Sequence, residues 1–505
     1  MSSDIVRPIK FHLRIEYLWG LTALIGIFIF VNTHPIRPHD FWWHITIGRD
    51  IVTTGKIPTV DVFSYTEAGQ PYPSYQIYWL MEIMLYEIYK LGGPALVIFI
   101  HGLIITAAYS IIFWICKGAS NSWRMAAFGV IFAAALGLND WNVRPQGITF
   151  LIASFFLLAI YHYNKSLRRH WLIILPLGML VWVNSHGTFI IGLVVVGIWW
   201  GQILWEAIKK RIILKQRFDQ KSMIIPSFFL VITALVCLFN PRGVGIIDYV
   251  KTLTSNSVVQ NLVTEWAPPT LNTLMGAIFL FGLMGSAVIL ALSPKRPDLY
   301  QISSFLFFGV LGLKTSRGIV WFGIMMAPIM AEHLSAIFGQ LRKTEQRPAT
   351  RGGSRIVNTL FVLLITTMGV ISLPWLKGIL PLPAAKAGLI SAETPVQATE
   401  FLLEQKPPGH VFNAMSFGSY LIWAAYPDYQ VFVDSRIELF SEKVWMDYIN
   451  ISDANGDWET LLKEYGVNTL MLSPREQRSL VEAAQKSNGW MMIYLDPIAI
   501  IFEQH

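Results

Sequence analysis

The chain has 505 residues, of which 54% are hydrophobic and 14% are charged, and its formal net charge at pH 7 is +7. Soluble globular proteins carry about 25% charged residues, so this composition excludes a soluble globular enzyme. The two cysteines, Cys116 and Cys237, both lie in apolar stretches. Neither a disulfide framework nor a thiolate metal site is therefore predicted.

Apolar stretches long enough to cross a bilayer core of roughly 30 Å recur between Leu18 and Leu373. They predict an α-helical polytopic membrane protein with about eleven transmembrane helices. The first stretch lacks a small-residue cleavage site at its end, so we interpret it as a retained span and not as a signal peptide. The predicted spans are 17–33, 94–115, 124–138, 146–163, 171–184, 188–205, 223–239, 273–292, 300–313, 318–337 and 356–374.

The segment between the first two spans, 34–93, is too long for a bare loop. Apolar residues recur at helical spacing over 40–53 and again over 76–91, and many aromatic residues accompany them. Aromatic side chains favour the headgroup region of a bilayer. The pattern predicts two short helices that lie along the membrane interface.

The connections between spans alternate between basic and lysine-poor. The basic ones hold more than half of the 39 lysines and arginines, and they are the N-terminus, 117–124, 165–169, 209–221, 295–296 and 342–355. Short basic loops stay in the cytoplasm, so we predict a cytoplasmic N-terminus. The positive charge reflects this topology and does not indicate nucleic-acid binding.

The opposite connections, which we predict to be extracytoplasmic, carry the residue types that perform chemistry. Ionisable side chains at the ends of several spans on one membrane face can converge on a cavity there. The candidate site residues on this face are Asp40, His44, Arg144, His186, Arg242, Glu265, Lys314 and Arg317.

From about residue 381 the composition becomes that of a soluble protein, and short β-rich runs alternate with helical ones. This pattern predicts a small C-terminal α/β domain over 381–505. The predicted organisation is thus a transmembrane domain over 1–380, which includes the external loop 34–93, followed by an extracytoplasmic α/β domain.

The Asp-x-Trp-Trp-His pattern at 40–44, together with 55–66 and 79–82, resembles the first external loop of a group of bacterial multi-span proteins. The tail segments 411–413 and 431–436 resemble the same group. These proteins are similar to the GT-C superfamily of membrane glycosyltransferases. The resemblance implies inverting transfer of a sugar from a polyprenyl-phosphate donor, within the membrane, to an extracytoplasmic glycan, lipid or protein acceptor. It also implies that the chain is an integral protein of the bacterial plasma (inner) membrane.

In this resemblance Asp40 is the catalytic base that deprotonates the acceptor hydroxyl. Asp40 is equally well placed to serve as the N-cap of the following helix, and the two roles are compatible. Imidazole and carboxylate are also suitable metal ligands, so His39, Asp40 and His44 are candidates to bind a divalent cation as cofactor.

A lipid phosphate needs positive charge and oriented donors at the membrane surface. The four candidates for this task are Arg144, Arg242, Lys314 and Arg317, although each can instead extend its charge to the interface without a ligand. His186 can hydrogen-bond substrate or act as a satisfied turn residue. Glu265 beside Trp266 can contact a sugar or belong to an interfacial loop.

Two alternative functions stay open at this point. One is a glycan ligase or oligosaccharyltransferase that acts on a lipid-linked glycan, and the other is a non-catalytic, GT-C-like lipid-binding scaffold subunit of a membrane complex. A transporter is disfavoured, because the two halves show no sequence similarity and no paired charges lie at mid-span depth.

Overall fold

The computed structural model describes residues 15–213, 215, 220–255, 264–344 and 354–505. Outside these residues lie the predicted basic N-terminus, parts of the predicted basic connections 209–221 and 342–355, and part of the external connection 240–272 between the seventh and eighth predicted spans. The helices of the membrane part are α1 (Ile15–Thr33), α2 (Phe41–Thr54), α3 (Tyr75–Ser120), α4 (Trp123–Gly137), α5 (Gly147–Ser166), α6 (Ile174–Val183), α7 (Phe189–Ile212), α8 (Gln220–Val236), α9 (Ile246–Ser255), α10 (Leu274–Leu292), α11 (Leu299–Lys314), α12 (Ile319–Thr344) and α13 (Arg355–Ile371).

Each predicted span coincides with one of these helices. Among the described residues, six helices are long and apolar enough to cross a membrane by length and composition, namely α1, α3, α5, α7, α10 and the segment Ser316–Leu341 that contains most of α12. Shorter apolar helices occupy Arg169–Val183, Met223–Val236, Leu299–Lys314 and Arg355–Ile371. The span count of about eleven therefore stays a prediction.

Helix α3 contains both a predicted interfacial helix and the second predicted span. Its helical geometry breaks at Gly92 and Gly93, and Gly93 has a φ of 62°, which a residue with a Cβ adopts only at a cost. Pro94 then begins the second part, since a proline needs no backbone donor in the first turn of a helix. This break separates the aromatic segment 75–91 from the apolar segment that follows.

The helices of the bundle approach each other closely where their residues are small. A Cβ added at Gly129 of α4 would lie 2.8 Å from the backbone oxygen of Ala327 in α12. A Cβ added at Gly323 of α12 would lie 3.1 Å from the backbone oxygen of Ala133. Small residues permit this close packing between membrane helices, which compensates for the weak hydrophobic drive in lipid.

The C-terminal part contains, among the described residues, a four-stranded sheet with the order β1-β2-β4-β3. Strands β1 and β2 are parallel, and the other two pairs are antiparallel. The central strand β2 is almost entirely buried, because helices cover the sheet. The elements of this part are α14 (Ala384–Ala387), α15 (Val396–Gln405), β1 (His410–Asn413), α16 (Met415–Ala424), α17 (Glu442–Ser452), α18 (Trp458–Glu464), β2 (Val467–Leu472), α19 (Arg478–Lys486), β3 (Trp490–Leu495) and β4 (Ile500–Gln504).

The first external loop and the C-terminal part share one hydrophobic core. Trp43 and Ile47 of α2 lie in the same buried cluster as Phe412 and Phe432. The Thr66 hydroxyl also donates to the backbone oxygen of Phe432 at 2.6 Å. Residues from both sides of the predicted domain boundary near residue 381 form this core. The boundary itself stays a prediction.

A buried ion cluster joins the same two regions. Arg436 donates to Asp61 at 2.5 Å and to Asp434 at 2.6 Å, and all three side chains are fully buried. Arg436 also contacts the Tyr75 hydroxyl. A charge buried this deeply requires its partners, so the external loop is fixed to the tail.

Candidate functional site

Asp40 occupies the position before α2, on the predicted extracytoplasmic side of α1. Its side chain makes no capping hydrogen bond to the helix. One carboxylate oxygen, Oδ2, instead accepts from Arg144 Nη1 at 3.1 Å, and the Asp40 side chain is 21% exposed. Asp40 is thus oriented toward a partner that lies more than a hundred residues away in the sequence.

Arg144 links Asp40 to a second carboxylate. Its Nη1 donates to Glu265 Oε2 at 3.2 Å and its Nη2 donates to Oε1 at 3.1 Å. This two-pronged geometry is the one that a planar guanidinium forms with a carboxylate or a phosphate. Arg144 is only 13% exposed, so its charge depends on these acidic neighbours.

Arg317 approaches Glu265 from the other side. Its Nε donates to Glu265 Oε2 at 2.7 Å, and its guanidinium lies 5.8 Å from the centre of the Trp266 ring. The backbone N–H of the preceding Ser316 donates to Ala267 at 3.0 Å, which holds the two turns together. We call Asp40, Arg144, Glu265 and Arg317 the charged cluster.

The two carboxylates of the charged cluster are strongly acidic. Burial alone would raise the pKa of Asp40, but Arg144, the nearby Ser435 hydroxyl, His44 and Arg317 outweigh it and lower this pKa to about 2. Burial is likewise outweighed at Glu265, where Arg144 and Arg317 lower the pKa to about 2. Both groups are therefore ionised at neutral pH.

Asp140 is another ionisable residue of the predicted external connections, to which the sequence assigns no role, and it lies beside the charged cluster. It is 7% exposed, and burial raises its pKa to about 7, with Arg144 opposing the rise and Glu265 adding to it. A buried carboxyl group that titrates near neutral pH is typical of functional sites. The one feature of the sequence that points to a role for Asp140 is its position in the same short external segment as Arg144.

This raised pKa gives a prediction about stability. Between about pH 4 and pH 7 the folded chain holds a proton on Asp140 that the unfolded chain, with an aspartate pKa near 3.9, has lost. Stability should then fall as the pH rises through this window. Because asparagine resembles the protonated acid, D140N should match the wild type at pH 4 and unfold at a higher temperature at pH 7.

Thermal unfolding at several pH values measures this difference, and D428N, at an exposed carboxylate, is the matched control. If the unfolding temperatures of D140N and the wild type change with pH in the same way, Asp140 does not have the raised pKa.

The His44 side chain pairs with Glu82. Its Nδ1 lies 2.9 Å from Glu82 Oε1, and both side chains are buried. His39 is exposed, and Asp40 is engaged by Arg144. The predicted metal ligands therefore do not converge, and among the described residues no group of three or more His, Cys, Asp or Glu side chains is placed to hold a metal ion.

His186 lies in the turn between α6 and α7. Its Nδ1 is 2.9 Å from the Thr188 hydroxyl, and its ring centre is 5.3 Å from that of Tyr78. Burial, followed by the positive charges of Arg317 and Arg144, lowers its pKa far below the usual value. His186 is thus a neutral turn residue that lies within electrostatic reach of the charged cluster.

The other two predicted cations lie elsewhere. Arg242 donates from Nη1 to Gln76 at 3.1 Å and from Nε to the backbone oxygen of Gly245 at 3.4 Å. Lys314 is exposed at the end of α11. Of the four cations predicted to hold phosphate, the structure brings Arg144 and Arg317 together on one carboxylate.

No protein-family model and no curated protein sequence matches the chain. Solved structures do resemble it. The archaeal oligosaccharyltransferase AglB from Archaeoglobus fulgidus, in complex with an inhibitory peptide and a dolichol-phosphate, aligns with a TM-score of 0.57 at 12% identity. The alignment covers 96% of this chain and 74% of AglB.

Two further structures support the same fold. ArnT from Cupriavidus metallidurans bound to undecaprenyl phosphate aligns with a TM-score of 0.51 at 12% identity, over 96% of this chain and 97% of ArnT. The arabinofuranosyltransferase AftD from Mycobacteria aligns with a TM-score of 0.56 at 11% identity, over 97% of this chain but only 40% of AftD. The chain therefore shares a fold with these three transferases, and six of its described helices are long and apolar enough to cross a membrane.

Proposed function

We propose that the chain is an integral-membrane glycosyltransferase that transfers a sugar from a polyprenyl-phosphate donor to an extracytoplasmic acceptor. The observation that carries this proposal is the charged cluster, in which four separate chain segments bring two arginines and two carboxylates together beside apolar helices. The lipid phosphates bound to AglB and ArnT support the donor class. The acceptor is a glycan, lipid or protein on the same membrane face.

In the proposed donor complex, phosphate oxygens replace the Glu265 carboxylate between the two guanidinium groups. Glu265 is 38% exposed, so it can withdraw into solvent when the donor arrives. Arg144 and Arg317 then neutralise the charge that develops on the departing polyprenyl phosphate. In the unliganded chain, Glu265 holds the two arginines in the orientation that the phosphate requires.

Asp40 acts as the general base in this proposal. While it is paired with Arg144 its pKa is about 2, which makes it a weak base. When the donor phosphate draws Arg144 away, the Asp40 pKa rises, because burial opposes an unpaired carboxylate. Asp40 then takes the proton of the acceptor hydroxyl as the acceptor oxygen bonds to the anomeric carbon and the bond to phosphate breaks, which inverts the configuration.

The proposed topology places this chemistry on the outer face of the plasma membrane. The N-terminus is cytoplasmic, and residues 381–505 are extracytoplasmic, as the distribution of lysine and arginine favours. Ser435 of the tail influences Asp40 directly, so the tail forms part of the wall around the proposed site. We propose that it contributes to acceptor selection.

Turnover of defined donors tests the proposed function. Purified protein in lipid is incubated with undecaprenyl-phosphate sugars and a mixture of envelope acceptors, and released undecaprenyl phosphate is measured. We expect release that depends on both the protein and the acceptor. Turnover only with pyrophosphate-linked oligosaccharides would instead identify a ligase or oligosaccharyltransferase, and lipid binding without any turnover would favour the scaffold function.

The phosphate role of Arg317 gives a separate prediction. Loss of one hydrogen bond to a charged group costs about 1.5–3 kcal/mol, so R317Q should raise the KM for the donor about 10- to 100-fold. The kcat should change less. R475Q, at an exposed arginine of the tail, is the control, and an unchanged donor KM in R317Q would remove Arg317 from the proposed phosphate site.

A further inference from the structure

A groove of about 710 Å³ runs between α1, α4 and α13. Its lining follows α1 from Ile15 to Phe30, which corresponds to about 22 Å at the helical rise. Trp19, Ile131 and Val357 line it and are exposed. The groove therefore opens sideways toward the surrounding lipid, and we call it the lateral groove.

The lateral groove suits a hydrocarbon chain. All but two of its lining residues are apolar. One of these two is Thr22, whose hydroxyl donates a hydrogen bond to the backbone oxygen of Leu18 at 2.7 Å. At Gly26 an added Cβ would meet no atom within 4 Å, so the space above this residue is open. In a bilayer, lipid chains fill such a space, and its length suits an extended fatty-acyl chain.

Positive charge collects at one end of the lateral groove. Phe30 lines this end, the His34 ring lies 4.2 Å from the Phe30 ring, and Lys386 Nζ lies 5.8 Å from it. Arg37 and Lys377 act on His34 electrostatically, as does Lys386. We call Arg37, Lys377 and Lys386, which surround His34, the basic cluster.

The basic cluster has the properties of an anion site at the membrane surface. Lys377 is 2% exposed and donates to the backbone oxygen of Gly388 at 3.2 Å. Burial, with Lys386 beside it, lowers the pKa of Lys377 to about 8, so a bound anion would stabilise its charged form. The adjacent Trp375 is 53% exposed, as is typical of tryptophan at headgroup depth.

We propose that the lateral groove and the basic cluster together bind one anionic phospholipid of the outer leaflet. One acyl chain lies in the lateral groove, and the phosphate is held by Arg37, Lys377 and Lys386. The assignment to the outer leaflet rests on the proposed topology, but the site does not depend on the proposed transfer reaction, because the donor phosphate is assigned to Arg144 and Arg317. The apolar lining selects a lipid, and the charge selects an anionic headgroup.

Native mass spectrometry of the full chain, titrated with phosphatidylglycerol or phosphatidylcholine of the same acyl chains, tests this site. We expect one phosphatidylglycerol to be retained with about tenfold or greater preference over phosphatidylcholine, since each lysine or arginine near an anionic headgroup adds several-fold in affinity. The double variant R37Q/K386Q should lose this preference. The control K443Q/K463Q, at exposed tail lysines, should keep it.

The groove itself is tested with a substitution that fills it. Because Gly26 faces open space, G26L should fold and block the acyl chain, which lowers retention of both phospholipids about tenfold or more. G285L, at a glycine of α10 that also faces open space, should leave retention unchanged. If G26L leaves the retention of either phospholipid unchanged, the proposed site is wrong.

Undecaprenyl phosphate serves as the third titrant. One contrary outcome is that the wild type retains undecaprenyl phosphate and no phosphatidylglycerol, while G26L retains neither lipid. In that case the lateral groove holds a polyprenyl chain, and the proposed phospholipid site is wrong.

Discussion

Substituting Asp40 with asparagine is expected to lower the rate of sugar transfer about 10²- to 10⁴-fold, which is the usual contribution of a general base. Asparagine keeps the shape of the side chain and can still accept from Arg144 Nη1, but it cannot take the proton of the acceptor hydroxyl. Arg144 also keeps Glu265 as its counter-charge. The variant should therefore fold normally and bind donor at least as well as the wild type, because the donor phosphate no longer has to break an ion pair between Arg144 and Asp40.

The rate of undecaprenyl phosphate release measures this effect, with thermal unfolding as the check on folding. D50N, on the same helix α2 and outside the charged cluster, is the matched control and should transfer sugar at the wild-type rate. If D40N also transfers at that rate, Asp40 is not the base.

Substituting Arg436 with methionine is expected to destabilise the external part of the protein by about 3–5 kcal/mol, the usual effect of removing one partner from a buried ion pair. The fully buried carboxylates of Asp61 and Asp434 would both lose their counter-charge. Hydrogen exchange over residues 61–75 and over 431–436 measures the loss, because these segments are joined by Arg436.

Two further variants separate the loss of charge pairing from other causes. R475M removes an exposed arginine whose partner Glu393 lies at 4.0 Å, and exposed pairs contribute about 0–1 kcal/mol. The triple variant D61N/R436M/D434N removes all three charges, so it should regain part of the lost stability. If R436M is as stable as R475M, the ion cluster does not hold the loop to the tail.

The apolar pattern predicts the helices well, because a membrane span needs a minimum length of apolar residues that is visible in any sequence. It does not decide whether a short helix such as α4 crosses the membrane. The shared core of the external loop and the tail was not predicted, since contacts such as that between Thr66 and Phe432 leave no local signal in either segment.

The candidate site was predictable in its residue types and only partly in its geometry. Asp40, Arg144, Glu265 and Arg317 all lie in connections on one predicted membrane face, and the structure places them in contact. Arg242 and Lys314 meet the same criterion, but Arg242 pairs with Gln76 and Lys314 is exposed. A position at the end of a span does not determine the direction of a side chain.

Burial accounts for the remaining differences. Asp140 resembles any loop aspartate in the sequence, and it is the burial of its side chain that raises its pKa against the opposing charge of Arg144. His44 resembles a metal ligand, yet the helix α2 directs it to Glu82.

The most direct test of the proposed donor site is an experimental structure of the full chain in lipid with undecaprenyl phosphate bound. We predict phosphate oxygens within hydrogen-bonding distance of both Arg144 and Arg317, with Glu265 displaced and the 3.1 Å contact between Arg144 and Asp40 opened. A phosphate bound elsewhere, with Arg144 still paired to Asp40 and Glu265, would contradict the proposed site.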